Sequence, residues 1–176
     1  SGVMEHTQWT RSASPVDPAG TNPNAIPVSI ISQINQQFID RGVRFVVQVG
    51  DLTENGNDAD VIVRASAAQP LLHAGIGYFP MRGNHETYAS PANSYAIPII
   101  QSLFPQTRGL GNTLGATNFS SPTAVSPDLD GMSYAFTYGS AGNTARFLII
   151  DNWVTPSKLV APGNGYNYGY LVGDQQ

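Results

Sequence analysis

Two apolar runs, each ending in a glycine and a cluster of polar side chains, constrain this chain more than any other feature. The first is Phe45-Val46-Val47-Gln48-Val49-Gly50-Asp51. The second is Tyr78-Phe79-Pro80-Met81-Arg82-Gly83-Asn84-His85-Glu86. Each reads as a strand that delivers oxygen or nitrogen donors at its carboxyl end, which is where ligands bind in open α/β sheets. Residues 58–72 between them read as a helix, with Asp58 or Asp60 near its start and Pro70 bending or ending it.

The alternation extends in both directions. Val3-Met4 ends an early apolar strand. Residues 27–40 carry Ile30, Ile31, Ile34 and Phe38 at helical spacing, with Pro27 in the first turn and Gly42 just past the end. Residues 43–49 and 76–81 are strands, and 91–104 is a helix kinked or broken at Pro98. Residues 132–138 alternate Met132, Tyr134, Phe136 and Tyr138, the pattern of a half-buried strand. Residues 147–150 form a continuous apolar run and read as a buried strand. The fold class is α/β: a partly parallel sheet covered by helices, followed by a hairpin. Residues 105–131 and 156–170 read as irregular and are long for structureless connections, which points to functional loops or insertions. Residues 171–176 read as a turn and a helix cap at Asp174. The expectation is one domain over residues 1–176 that forms the N-terminal portion of a longer one, with its C-terminal part missing. Its exposed strand edges would invite self-association.

Composition narrows the function classes. The chain has 176 residues and a net charge of -4, so it lacks the basic footprint of a nucleic-acid binder. Charged residues are 11% of the chain, against about 25% in soluble proteins generally. Ser, Thr, Asn, Gln and Gly supply the polarity instead, a balance that fits an extracellular or periplasmic protein. Cysteine is absent, so no disulfide framework is expected. No stretch reads as a signal peptide or is apolar and long enough to span a membrane.

The chemistry lies in the strand-end residues. Asp51 is a carboxylate on a rigid element, and Gly50 before it allows a tight turn and close approach of a ligand. Oxygen donors of this kind suit hard or borderline cations. Asn84 adds an amide oxygen. His85 adds an imidazole that binds metal or transfers a proton, and Glu86 stands where it can orient that imidazole. The bland alternative for each motif is a polar turn or a helix cap. Further along, Asp151-Asn152 reads as a strand-end turn or cap, Arg82 as an exposed side chain or a phosphate donor, and Tyr166, Tyr168 and Tyr170 as cleft or loop-packing residues.

Gly-Asp followed by Gly-Asn-His-Glu, each after a strand, resembles the calcineurin-like metallophosphoesterases. The resemblance implies a four-layer α/β/β/α sandwich of two mixed sheets holding two divalent metal ions (Fe, Mn or Zn). It implies that Asp51 bridges the metals, that Asn84 binds the second, and that His85 contacts the phosphate and assists the leaving group with Glu86 in support. The family's first motif is Asp-x-His or the variant Asp-x-Gln. Here Met4-Glu5-His6-Thr7-Gln8 takes its place: Gln8 matches the variant, and His6 stands where Asp belongs. His6 and Gln8 are thus the implied ligands of the first metal. The family's later His and Gly-His-x-His have no counterpart, because no His follows His85.

Three function classes follow. The first is a phosphomonoesterase or phosphodiesterase using a water activated by two metals. The second is an inactive module on the same scaffold. The third is a carbohydrate or surface binder built on the loops rich in Asn, Gly, Thr and Tyr.

Overall fold

The computed structural model describes residues 1–5, 26–54, 56–88, 96–124 and 127–151. Among these the protein is mixed α/β, with three α-helices and two small sheets. The elements run β1 (Gly2–Glu5), α1 (Ile26–Asp40), β2 (Phe45–Val49), α2 (Asp58–His73), β3 (Gly77–Pro80), α3 (Ile97–Leu103), β4 (Thr117–Ser120), β5 (Tyr134–Ser140) and β6 (Asn143–Ile149). The first sheet has the order β1-β2-β3 and is parallel throughout. The second, β4-β5-β6, is antiparallel. No helix in the described residues is long and apolar enough to cross a membrane.

The strict two-residue alternation of the parallel strands builds three layers. Met4, Val46 and Tyr78 face the helices, where they join Val61, Ala65, Leu71, Ile97 and Ile100 in the larger core. Phe45 and Phe79, one residue out of phase, face the antiparallel sheet and meet Tyr134, Phe136 and Ile149. This second core is largely aromatic. Phe79 stacks on Phe136 with ring centroids 4.3 Å apart, and Phe45 meets Phe136 edge-on at 5.6 Å, both favourable ring geometries.

Several sequence expectations change at the level of packing. In α1 the buried face is Val28, Ile31 and Asn35, while Ile30 is 52% exposed and Ile34 36%. The helix is rotated because the Asn35 amide donates to the Ala67 carbonyl of α2 at 2.7 Å, a contact that apolar spacing does not reveal. Pro70 neither ends nor breaks α2, which continues to His73. It removes the N–H that would have bonded the Ser66 carbonyl, but Ser66 and Pro70 are both on the exposed side of the helix, where water can serve that carbonyl. The cap of α2 is Asn57, whose side chain accepts the Asp60 N–H at 3.0 Å.

Further along, Pro98 opens α3 at Ile97–Leu103 instead of kinking a longer helix, as suits a residue with a fixed φ and no N–H. Residues 91–95 lie outside the described residues. The segment 105–131 is not structureless: it holds β4 and short 3-10 turns at Pro105–Arg108 and Pro127–Leu129. The run 147–150 is not a buried strand. It belongs to β6, an outer strand of the antiparallel sheet, where Ile149 is buried and Leu148 is 67% exposed. Residues 156–170 and Asp174 lie outside the described residues.

Candidate functional site

The ends of β2 and β3 lie side by side because the strands pair in parallel, with Val47 opposite Phe79 and Gln48 opposite Pro80. Both polar motifs therefore emerge at the same edge. After β2 the chain turns sharply: Gly50 has φ +67 and Asp51 φ +46. Asp is one of the few non-glycine residues that tolerate this left-handed region. The turn brings Asp51 against Gly83. A Cβ on Gly50 would lie 2.9 Å from the Gly83 Cα, and one on Gly83 would overlap the Asp51 nitrogen and carboxylate. The two glycines are what let the motifs touch, and Asp51 Oδ1 then accepts the backbone N–H of His85 at 3.2 Å.

Glu86 braces this contact. It is fully buried. Its Oε1 accepts from the Thr53 N–H at 2.9 Å and the Thr53 hydroxyl at 3.2 Å, and its Oε2 accepts from the Gly83 N–H at 2.8 Å. Thr53 in turn accepts the Gly56 N–H at 2.9 Å. The Glu86 side chain thus ties the loop after β2 to the loop after β3. The His85 ring is steadied by Glu54: Nδ1 lies 2.8 Å from the Glu54 carbonyl and 3.9 Å from its carboxylate. A carbonyl oxygen only accepts, so Nδ1 carries the hydrogen, and in the neutral ring Nε2 is the basic nitrogen. Asn84, half-buried, sits between Gly83 and His85.

Burial pushes the Glu86 carboxyl above its ordinary value of 4.5; the Gly83 and Thr53 N–H groups oppose the rise and the Asp51 charge adds to it. A raised folded pKa means that the folded protein keeps a proton the unfolded chain has already released. The stabilisation from Glu86 is therefore complete below pH 4.5 and is lost as pH rises through the raised value. In chelator-treated protein, urea unfolding followed upward from pH 4.5 should show this decline, and Glu86→Gln should flatten it. Parallel profiles for the two proteins would rule the assignment out. Only the slope is diagnostic, because a carboxamide in that ring of donors also costs stability at every pH.

Arg82 and Asp151 correct two sequence readings. Arg82 is neither exposed nor available to a phosphate, and Asp151 is more than a strand-end cap. Both side chains are fully buried. Arg82 Nε and Nη2 each lie 2.8 Å from Asp151 Oδ2. The Asp151 N–H donates to the Ser133 hydroxyl at 3.0 Å, and the Tyr134 hydroxyl donates to the Pro80 carbonyl at 2.8 Å. The antiparallel sheet thereby grips the end of β3 immediately before Gly83.

Of the residues expected at a site, Asp51, Asn84, His85 and Glu86 are brought together, and His6 and Gln8 lie outside the described residues. Tyr166, Tyr168, Tyr170 and Asn152 also lie outside them. Thr53 and Glu54 were missed, although their place directly after Gly50-Asp51 was a usable signal. Among the described residues no group of three or more His, Asp or Glu is arranged to hold a metal ion. Comparison of the chain with protein-family models, curated proteins and solved structures finds no match.

Proposed function

We propose that the chain carries part of the active site of a metal-dependent phosphoester hydrolase. The observation that supports this reading is the contact between the Gly50-Asp51 turn and the Gly83-Asn84-His85-Glu86 loop at the carboxyl ends of adjacent parallel strands. The donor types fit a divalent cation: the Asp51 carboxylate and the Asn84 amide oxygen are hard ligands on neighbouring loops. Gln8 and His6, which follow β1 in sequence, are the proposed remaining donors. Bound divalent ions would activate a water and neutralise the phosphoryl oxygens.

The protein's own residues set the rest. Asp51 is held by the backbone, so its position does not depend on a rotamer alone. His85 presents an imidazole whose Nδ1 is fixed by Glu54, and protonated Nε2 would donate to a leaving-group oxygen. Glu86 keeps both loops at one spacing. In this reading the two described sheets are the middle of an α/β/β/α sandwich. The test is hydrolysis of p-nitrophenyl phosphate and bis-p-nitrophenyl phosphate with Mn2+, Fe2+ or Zn2+ added. Turnover that disappears with chelator and returns with metal is the expected result. No turnover with any of the three ions, by a chain that nonetheless binds them, would favour the second reading: an inactive module, favoured by the neutral imidazole of His6 in the place where the first metal's ligand should be an Asp.

A further inference from the structure

Beneath the Asp51 turn lies a buried cation that the proposed chemistry does not use. Arg64, on α2, is fully buried. Its guanidinium lies over the Tyr78 ring at 5.1 Å, and Nη2 donates to Gln48 Oε1 at 2.9 Å. Gln48 is also fully buried, and its Nε2 donates to the Gly50 carbonyl at 3.0 Å. The guanidinium can only donate, so it sets which end of the Gln48 amide faces it and leaves the NH2 end pointing to Gly50. That carbonyl belongs to the peptide joining two residues of positive φ, Gly50 and Asp51.

We propose that Arg64 is a positioning residue for Asp51, acting through the Gln48 amide on the Gly50 carbonyl to hold the left-handed turn that carries the carboxylate. The proposal rests on the reading of Asp51 as a metal ligand. Two observations favour positioning over filling. Arg64 Nη2 meets Met4 Sδ at 3.1 Å as well as the buried Gln48 Oε1 at 2.9 Å, and only the second contact needs a strong donor, since an apolar side chain there would leave a buried amide oxygen without it. The chain of contacts also ends on a peptide whose two residues, Gly50 and Asp51, are both left-handed, where a freed carbonyl would let the turn relax.

The test uses the full chain, with Mn2+ as the probe. Gln48→Glu keeps an acceptor for Arg64 but has no N–H for the Gly50 carbonyl, so it cuts the second link and leaves the first. Arg64→Met cuts the first. Arg64→Lys keeps a buried donor. In metal-free protein the Asp51 backbone amide resonance should move in Arg64→Met and in Gln48→Glu, and should lie nearer its original position in Arg64→Lys. Mn2+ affinity should fall about tenfold in the first two and partly recover in Arg64→Lys, the scale usual for residues that orient a ligand. A folded Gln48→Glu protein with unchanged Asp51 resonance and unchanged Mn2+ affinity would overturn the proposal. If the unaltered chain binds no Mn2+, the metal reading fails separately, and the Asp51 resonance alone decides: movement in Arg64→Met with recovery in Arg64→Lys supports positioning, and no movement overturns it.

Discussion

Replacing Asp51 with asparagine should cut metal-dependent phosphoester hydrolysis by about 10²–10³-fold, the loss typical when one fixed group that stabilises transition-state charge is removed. Asn keeps the shape and still tolerates the left-handed conformation at φ +46. Its amide oxygen can still accept the His85 N–H, which lies 3.2 Å from Oδ1 in the native protein. Unfolding free energy should therefore change by less than about 1 kcal/mol, the net worth of an ordinary hydrogen bond. The combination of large catalytic loss and small stability loss is diagnostic, because it removes a charge and little else. An Asp51→Asn protein that hydrolyses the same esters at the original rate with Mn2+ would show that the carboxylate is structural. Asp51→Ala is the less informative change, since it frees the turn and the His85 amide together.

The second large effect concerns stability. Arg82→Met should destabilise the protein by about 3–5 kcal/mol, because it strands the Asp151 carboxylate without its guanidinium in a site sealed from water. That is a large share of the roughly 5–15 kcal/mol that holds a domain folded. The native pair itself contributes far less than this figure suggests: it offsets a desolvation cost of similar size. Replacing both partners, as Arg82→Met with Asp151→Leu, should recover most of the loss. Urea unfolding of the single and double variants measures the two terms. A single variant within about 0.5 kcal/mol of the native protein would mean that water reaches the pair. Activity should fall in Arg82→Met as well, since Arg82 is joined directly to the loop that carries Asn84 and His85.

The amino-acid pattern alone determined the elements that deliver the proposed site. Apolar runs placed β2 and β3, and start and stop residues placed α2, to within a few residues, and Gly50, Gly83 and the polar residues after them marked both strand ends. Those signals are local: they depend on backbone preferences and on neighbours a few positions away. The same local reading failed wherever a distant partner decides the outcome. The buried face of α1 turns on the bond from Asn35 to Ala67. The exposure of Leu148 follows from the outer position of β6, which no run of apolar residues discloses.

Tertiary structure alone decided the roles of the buried polar residues. Arg82 is buried because Asp151, 69 residues later in the chain, meets it. Glu86 braces two loops because Thr53, 33 residues earlier, lies opposite. Arg64 reaches the Asp51 turn only because α2 packs on the strand that carries Gln48. A charged side chain in a sequence reads as exposed because an unpaired charge is too costly to bury. Only the folded chain supplies the partners that remove that cost, and so only the fold shows which charges lie inside.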